Sequence, residues 1–404
     1  MSQIHVDALH SESGSNSNIE LDNSRNTTCK GNLTVDGNIA VTGTGLTDTK
    51  SFRNLIINGA MQVAQRGTSS TSNGYKTVDR FSHFSGGGTA TWSVGTETSG
   101  TVWEKGLRKY LRCTNTANAT AAGNYREITY KIENQDLMDS GWNPTSASSK
   151  LTLSFWVRAS VAQTYYGRIR WMGDSGGTGD KNFVFSTGSL SANTWTKVTV
   201  SIPGLTGKTL NDGGSSADTA SIFQLNWSPF QGTDGTASGT ALNTWNAYAS
   251  ASKYPDYTTT WGSTDGATFD ITGIQLEVGD YATDFEHRSY GDELDRCERY
   301  FQTWRPQGQT PPVVSTLMCH SSSGFLGPLH LRKIMRAAPT LSNDNIIAIT
   351  SSNGSAGEGT LAIDNATPTC ARLVGSSFSG LSAGNCTWLQ CNDQDAYLDL
   401  SAEL

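Results

Sequence analysis

Through the middle of this chain run short stretches in which apolar and polar residues alternate one by one, separated by turns of Gly, Ser, Thr and Asn. "YREITYKIE" (Tyr125–Glu133) puts Ile128, Tyr130 and Ile132 on one side, and "KLTLSFWVR" (Lys150–Arg158) does the same with Leu151, Leu153, Phe155 and Val157. "YYGRIRW" (Tyr165–Trp171), "NFVFS" (Asn182–Ser186), "WTKVTVSI" (Trp195–Ile202), "ASIFQLNW" (Ala220–Trp227) and "TFDITGIQLEV" (Thr268–Val278) continue the series. A period of two marks an extended strand with one face on a core. Many short strands with Gly-rich turns predict an all-β chain whose main body, residues 52–288, is a two-sheet β-sandwich. The composition agrees: 43 Gly and only 16% charged residues, yet 11 Trp, 13 Tyr and 13 Phe to fill a core.

The last of these strands contains a slip. Phe269 and Ile271 share one parity, while Ile274, Leu276 and Val278 have the other, with Gly273 between them. A β-bulge at the glycine keeps both sets on one core and bends the strand. From Ser289 the period lengthens to that of a helix: Leu294, Cys297, Phe301 and Trp304 form one stripe, Ser289 and Asp292 resemble a capping box, and Pro306 stops the run. The reading is a connecting helix over 289–304, followed by a small C-terminal β-domain over 305–404.

Two further segments precede the sandwich. Residues 1–26 are polar and read as a flexible or partner-ordered arm. At 27–51, "GNLTVDG" and "GNIAVTG" repeat with a period of six, which aligns Leu33 with Val35 and Ile39 with Val41. One ribbon of this kind does not bury its own apolar stripe, whereas three copies do, so the segment reads as a stem holding a homotrimer.

The charge is -7 with no basic block, which argues against nucleic acid. The first residues carry no signal-peptide pattern, and no apolar run is long enough for membrane insertion. Seven cysteines at scattered spacings read as reduced thiols. No metalloprotease, nucleophile-elbow or phosphate-loop motif is present, and "GDSGG" (Gly173–Gly177) stands alone as a Gly-rich turn. Carboxylates such as Asp79, Asp180 and Glu277 are available, but sequence does not pair them for glycoside hydrolysis. Asp79, Arg80 and Glu277 read instead as structural ion pairs or turn hydrogen bonds. The expectation is therefore no enzyme, no cofactor and no metal. For carbohydrate the candidates are Trp227, Trp245, Tyr248, Tyr254, Tyr257 and Trp261, since a flat ring stacks on the apolar face of a sugar. The competing reading is that each ring plugs its own loop onto the sandwich.

"NLIINGAMQVAQRGTS" (Asn54–Ser69) with "YKTVDRF" (Tyr75–Phe81) resembles the start of a domain found in tail fibres and other receptor-binding proteins of tailed phages. "ITGIQLEVGDYATDFEHRSYGDELDRCERYFQTW" resembles its end and exit helix, and "MRAAPTLS" (Met335–Ser342) a segment that often follows. "GNLTVDGNIAVTGT" resembles shaft repeats of cyanobacterial phages. The sandwich is also similar to jelly-roll carbohydrate-binding modules. The resemblance implies a trimeric virion tail fibre that is assembled in the host cytoplasm, docks on other tail proteins through its N-terminal arm and binds host polysaccharide or lipopolysaccharide. The alternatives are a capsid fibre or decoration protein, then a polysaccharide-degrading tailspike. The carbohydrate-binding-module likeness also implies a structural calcium on Asp270, against which stands a plain solvent-facing strand aspartate.

Overall fold

A computed structural model describes residues 8–10, 17–21, 27–29, 53–116, 118–172, 179–205, 221, 223–306, 312–349 and 355–404. The chain divides into two units, Met1–Ser51 and Phe52–Leu404. In the first, Ala8–His10, Ser17–Leu21 and Thr27–Cys29 form a three-stranded antiparallel sheet. Strand pairing of this kind satisfies backbone groups whatever the side-chain polarity. The stem residues Leu33, Val35, Ile39 and Val41 and the "GDSGG" turn lie outside the described residues.

The described chain is mostly β, with 45% strand and 9% helix. The sandwich of the second unit has two six-stranded sheets, in which neighbouring strands pair antiparallel. Sheet I runs in the order Trp245–Ala247, Lys181–Ser189, Thr164–Trp171, Phe223–Gln231, Tyr125–Ile132, Phe81–Gly86. Sheet II runs Thr196–Pro203, Lys150–Ala159, Thr268–Val278, Lys109–Asn115, Ala90–Thr96, Ser69–Ser70. The chain crosses repeatedly between them, as in a jelly roll. The predicted inward set forms the core: Ile128, Tyr130, Leu153, Phe155, Ile169, Phe183, Leu225 and Trp227 are all buried.

The slip at Gly273 is a bulge. The register against Lys150–Ala159 shifts between Thr272 and Gln275, and Gly273 has φ 60°. Phe269, Ile271, Ile274 and Leu276 consequently share one core. The bend also opens the strand to the segment that begins the sandwich. Leu55 N–H donates to Leu276 O at 2.9 Å, Ile274 N–H donates to Gly59 O at 3.0 Å, and Asn54 Oδ1 accepts from Leu276 N–H at 3.1 Å. A Cβ on Gly59 would sit 2.1 Å from Ile274 O, so only glycine fits there. The opening and closing segments singled out in the sequence are thus two halves of one clasp.

The helix is shorter than its stripe suggested. It spans Tyr290–Glu298, and Phe301–Trp304 is a strand paired with Tyr397–Ser401. The reason is competition for the backbone: Ala402 N–H donates to Tyr300 O at 2.8 Å, and Arg336 N–H donates to Arg299 O at 2.8 Å. Phe301 and Trp304 are buried in the strand as a helix would have buried them, so their spacing was ambiguous. The cap holds as read: Ser289 Oγ accepts from Asp292 N–H at 3.1 Å and donates to Asp292 Oδ2 at 2.7 Å. Ser289→Ala is expected to lower stability by about 1 kcal/mol, measured by urea denaturation.

Beyond the helix lie a three-stranded sheet (Phe301–Trp304, Tyr397–Ser401, Thr340–Asp344) and a seven-stranded sheet built from residues 313–391. They share a separate core that includes Phe325, Leu373, Leu389 and Leu398. Their junction with the sandwich is ionic and aromatic. Arg80 stacks 3.4 Å from the centroid of Tyr300, Arg66 stacks 3.6 Å from that of Phe301, and both arginines pair with Glu403. Asp79, buried beside them, accepts from Gln65 Nε2 at 2.6 Å, and burial raises its carboxyl to about 6 against the pull of Arg66.

Candidate binding face

Parity sorts the six predicted rings. Phe223, Leu225 and Trp227 point inward together, and Trp227 is buried against Phe155 with ring centroids 5.9 Å apart. Trp245 fills the edge of the same core among Trp171, Phe183 and Phe223, and its indole N–H donates to Pro203 O at 2.8 Å. Trp261 is buried and donates to Thr268 O at 3.1 Å. Trp227 and Trp261 are buried anchors with no free ring face, and Trp245 is a half-buried anchor at the edge of the core. The signal was present in the sequence, because Trp227 shares the parity of two core residues.

The three tyrosines lie on the opposite, outer face of sheet I. Tyr257 donates to Ser228 O at 2.8 Å. Tyr254 is fully buried; its hydroxyl accepts from Arg168 Nε at 3.2 Å and donates to Glu127 Oε2 at 3.0 Å. Burial, then Glu127, pushes the Tyr254 hydroxyl well above its ordinary pKa. Tyr248 is half-buried, and its ring centroid lies 4.2 Å from the Arg170 guanidinium.

Beneath these rings the outer face carries polar side chains in register. One row reads Arg168, Asn226, Thr129, Ser82 across four strands. The next reads Asn182, Arg170, Gln224, Lys131. Neighbouring strands stand about 4.8 Å apart, so such rows form a regular ladder. Gln224 Nε2 donates to Asn226 Oδ1 at 3.0 Å, and Asn226 Nδ2 donates to Thr129 Oγ1 at 2.7 Å. Arg168 pairs with Glu127 at 3.4 Å, and Arg170 Nε donates to Asp180 Oδ2 at 2.7 Å. Burial opposes the charge on Arg168, but Glu127 and then Tyr254 outweigh it and hold its pKa above the ordinary arginine value. Its Nη1 is buried with no hydrogen-bond partner. Sequence reasoning weighed only the aromatic residues here. The polar partners sit at alternate positions of "YREITYKIE", "YYGRIRW" and "IFQLNW", and only strand order makes them neighbours.

Asp270 is neither solvent-facing nor open to a cation. It is fully buried, Arg112 Nε donates to Oδ1 at 2.7 Å, and Arg158 Nε donates to Oδ2 at 2.9 Å. A calcium ion at this carboxylate would face two guanidinium charges. Glu277 likewise accepts from Thr283 Oγ1 at 2.7 Å and from Gln275 Nε2 at 2.9 Å. Among the described residues no group of three or more His, Cys, Asp or Glu side chains converges as a metal site, and Cys113, Cys297, Cys319, Cys370, Cys386 and Cys391 are free thiols.

Fold and face together define a β-sandwich with a rigid polar ladder and tyrosines on one outer sheet surface. No family model matches the chain, and no curated protein does. Among solved structures the chain is similar to the enzymatically active domain of tailspike protein 4 of bacteriophage CBA120, at 13% identity, 56% of this chain, 22% of that one and a TM-score of 0.29. The match therefore spans 22% of the length of that domain's chain. It is similar to a putative sugar binding protein from Bacteroides thetaiotaomicron, at 13% identity, 56% of this chain, all of that one (100%) and a TM-score of 0.29. It is also similar to the second CBM22 xylan-binding domain of Paenibacillus barcinonensis Xyn10C, at 13% identity, 49% of this chain, 91% of that one and a TM-score of 0.28. The fold assignment rests on the strand order and not on these likenesses.

Proposed function

We propose that this chain is a virion attachment protein that binds glycans on a host cell through the outer face of sheet I. The observation that carries the reading is the half-buried row Arg170–Gln224–Lys131 with the Tyr248 ring above it, braced by the buried row Arg168–Asn226–Thr129. Amide, hydroxyl and guanidinium groups fixed on strands suit the hydroxyls of a sugar, and a tyrosine ring suits its apolar face. The phage setting, a tail fibre, rests on the resemblance of Asn54–Ser69, Tyr75–Phe81 and Ile271–Trp304 to receptor-binding proteins. The homotrimer rests on the repeat carrying Leu33, Val35, Ile39 and Val41, and would strengthen weak single sites by valency.

Binding without hydrolysis is part of the proposal. Glu127 and Asp180, the carboxylates on this face, each pair with an arginine, which gives them a structural role. Tyr248→Ala is expected to weaken glycan binding about fivefold, or roughly 1 kcal/mol, while leaving the melting temperature unchanged. Titration calorimetry with host polysaccharide checks the first and thermal melting the second. Unaltered affinity in the variant would place the site elsewhere, and shortening of the polysaccharide on incubation would overturn the non-enzymatic reading. Light scattering on the full chain tests the trimer, and a particle reconstruction tests its place in the tail.

A further inference from the structure

We infer that the outer face of the seven-stranded C-terminal sheet is covered by the same face of a second copy of this chain. Parity and register define that face. Leu317, Phe325, Leu373 and Leu361 point into the core of the C-terminal domain. The alternate positions point away from it, and strand pairing aligns five of them. Cys386, Met318, Leu326, Val374 and Ala362 are successive register partners on five adjacent strands. The rung is apolar from end to end. Met318 is 51% exposed, Cys386 and Ala362 are exposed, and Leu326 and Val374 are half-buried. Trp388, half-buried one register pair along the strands, extends the same face.

The sandwich treats its outward positions differently. On Thr196–Pro203 the core takes Val198, Val200 and Ile202, while Lys197, Thr199 and Ser201 are exposed. An antiparallel sheet with one face in water alternates in that way. The C-terminal rung breaks the alternation on five strands together, which is the pattern of a sheet packed on both sides.

Charge and size select the occupant. Among Asp, Glu, Lys and Arg, the strands Val313–Cys319, Phe325–His330, Thr360–Asp364, Cys370–Ser376 and Cys386–Cys391 contain only Arg372 and Asp364. These two pair with each other, Arg372 Nε donating to Asp364 Oδ1 at 2.7 Å. An identical face therefore meets no like-charge repulsion, whereas a charged polymer finds nothing left to pair with. Seven strands about 4.8 Å apart, each about six residues long at ~3.3 Å per residue, give the sheet face roughly 700 Å² in projection. A stable interface takes about 800 Å² from each partner. A single helix, about 10 Å across, would cover only two strands of the rung. A second sheet face covers all of it, with side chains interdigitating. This contact is separate from the stem repeat, and glycan binding by sheet I does not depend on it.

The test uses the full chain carrying Leu33→Asp and Ile39→Asp, which disables the stem so that the sheet face acts alone. Light scattering and sedimentation between about 1 and 100 µM are expected to show self-association. Adding Met318→Glu, which puts a charge on the rung at a position that is already exposed in one copy, should weaken association about a hundredfold. Thermal melting at the lowest concentration should be unchanged by it. Cys386, the register partner of Met318, is the reporter. Its reaction with a maleimide, located by peptide mass mapping, should be about tenfold slower at the highest concentration than at the lowest. In the Met318→Glu chain the two rates should be equal. A stem variant that stays monomeric throughout would overturn the inference. So would association that Met318→Glu leaves unaltered, or association in which Cys386 is labelled as fast as in the monomer. The labelling needs no substitution on the sheet, so it decides the matter even if the Met318→Glu chain melts early.

Discussion

Acidification from pH 6.5 to 3 is expected to remove about 4–5 kcal/mol of stability through His83. His83 is fully buried on an edge strand of sheet I and stacks on Trp92 of sheet II, with centroids 4.7 Å apart and planes at 18°. Neither of its ring nitrogens has a hydrogen-bond partner. Burial, and to a lesser degree Lys76, lowers its pKa from 6.5 to about 3. The folded chain therefore takes up the His83 proton later than the unfolded chain does. The contribution is complete above 6.5 and is lost progressively as pH falls towards 3. Two carboxyls act in the opposite sense: burial lifts both Asp79 and Asp136 from 3.8 to about 6, so their contribution falls as pH rises across that window. The substitution His83→Phe separates these terms. It preserves a ring on Trp92, removes no hydrogen bond and abolishes the titration. Urea denaturation at a series of pH values should give profiles for wild type and variant that diverge by about 4 kcal/mol between pH 7 and pH 3. Parallel profiles would mean that His83 is not held neutral in the fold.

Trp227→Ala is expected to cost about 4 kcal/mol of stability, the range for deleting a buried aromatic ring, without loss of glycan affinity in the protein that remains folded. The side chain is 1% exposed and makes its ring contact with Phe155 across the sandwich. Its indole N–H has no acceptor, so Trp227→Phe should be milder, about 1–2 kcal/mol. Paired with Tyr248→Ala, the experiment sorts anchors from binding groups. A Trp227→Ala protein that melts normally and fails to bind would reverse the assignment of the two sheet faces.

How much of this was readable beforehand follows from what periodicity encodes. Alternation in "KLTLSFWVR" and "TFDITGIQLEV" marks which side of a strand is apolar, because a core rewards only one parity, and the slip at Gly273 was visible for the same reason. Helix length was less legible. Phe301 and Trp304 are apolar at a spacing that suits helix and strand alike, and the choice fell to Tyr397–Ser401, nearly a hundred residues later, which offered the backbone a partner. Among the candidate rings, the parity of Trp227 was readable, whereas Tyr254 could be placed only through Glu127 and Arg168.

By itself the amino-acid sequence determined the strand class, the inward set, the bulge and the capped start of the helix, since each depends on residues within a few positions of one another. The tertiary structure alone decided the pairing of Asp270 with Arg112 and Arg158, the clasp of Asn54–Gly59 on Thr268–Val278, and the binding face. That face is assembled from three strands whose order in the sheet differs from their order in the chain. Its residues are ordinary polar partners of apolar neighbours along each strand. They become a site only where strand pairing sets Arg170, Gln224 and Lys131 side by side.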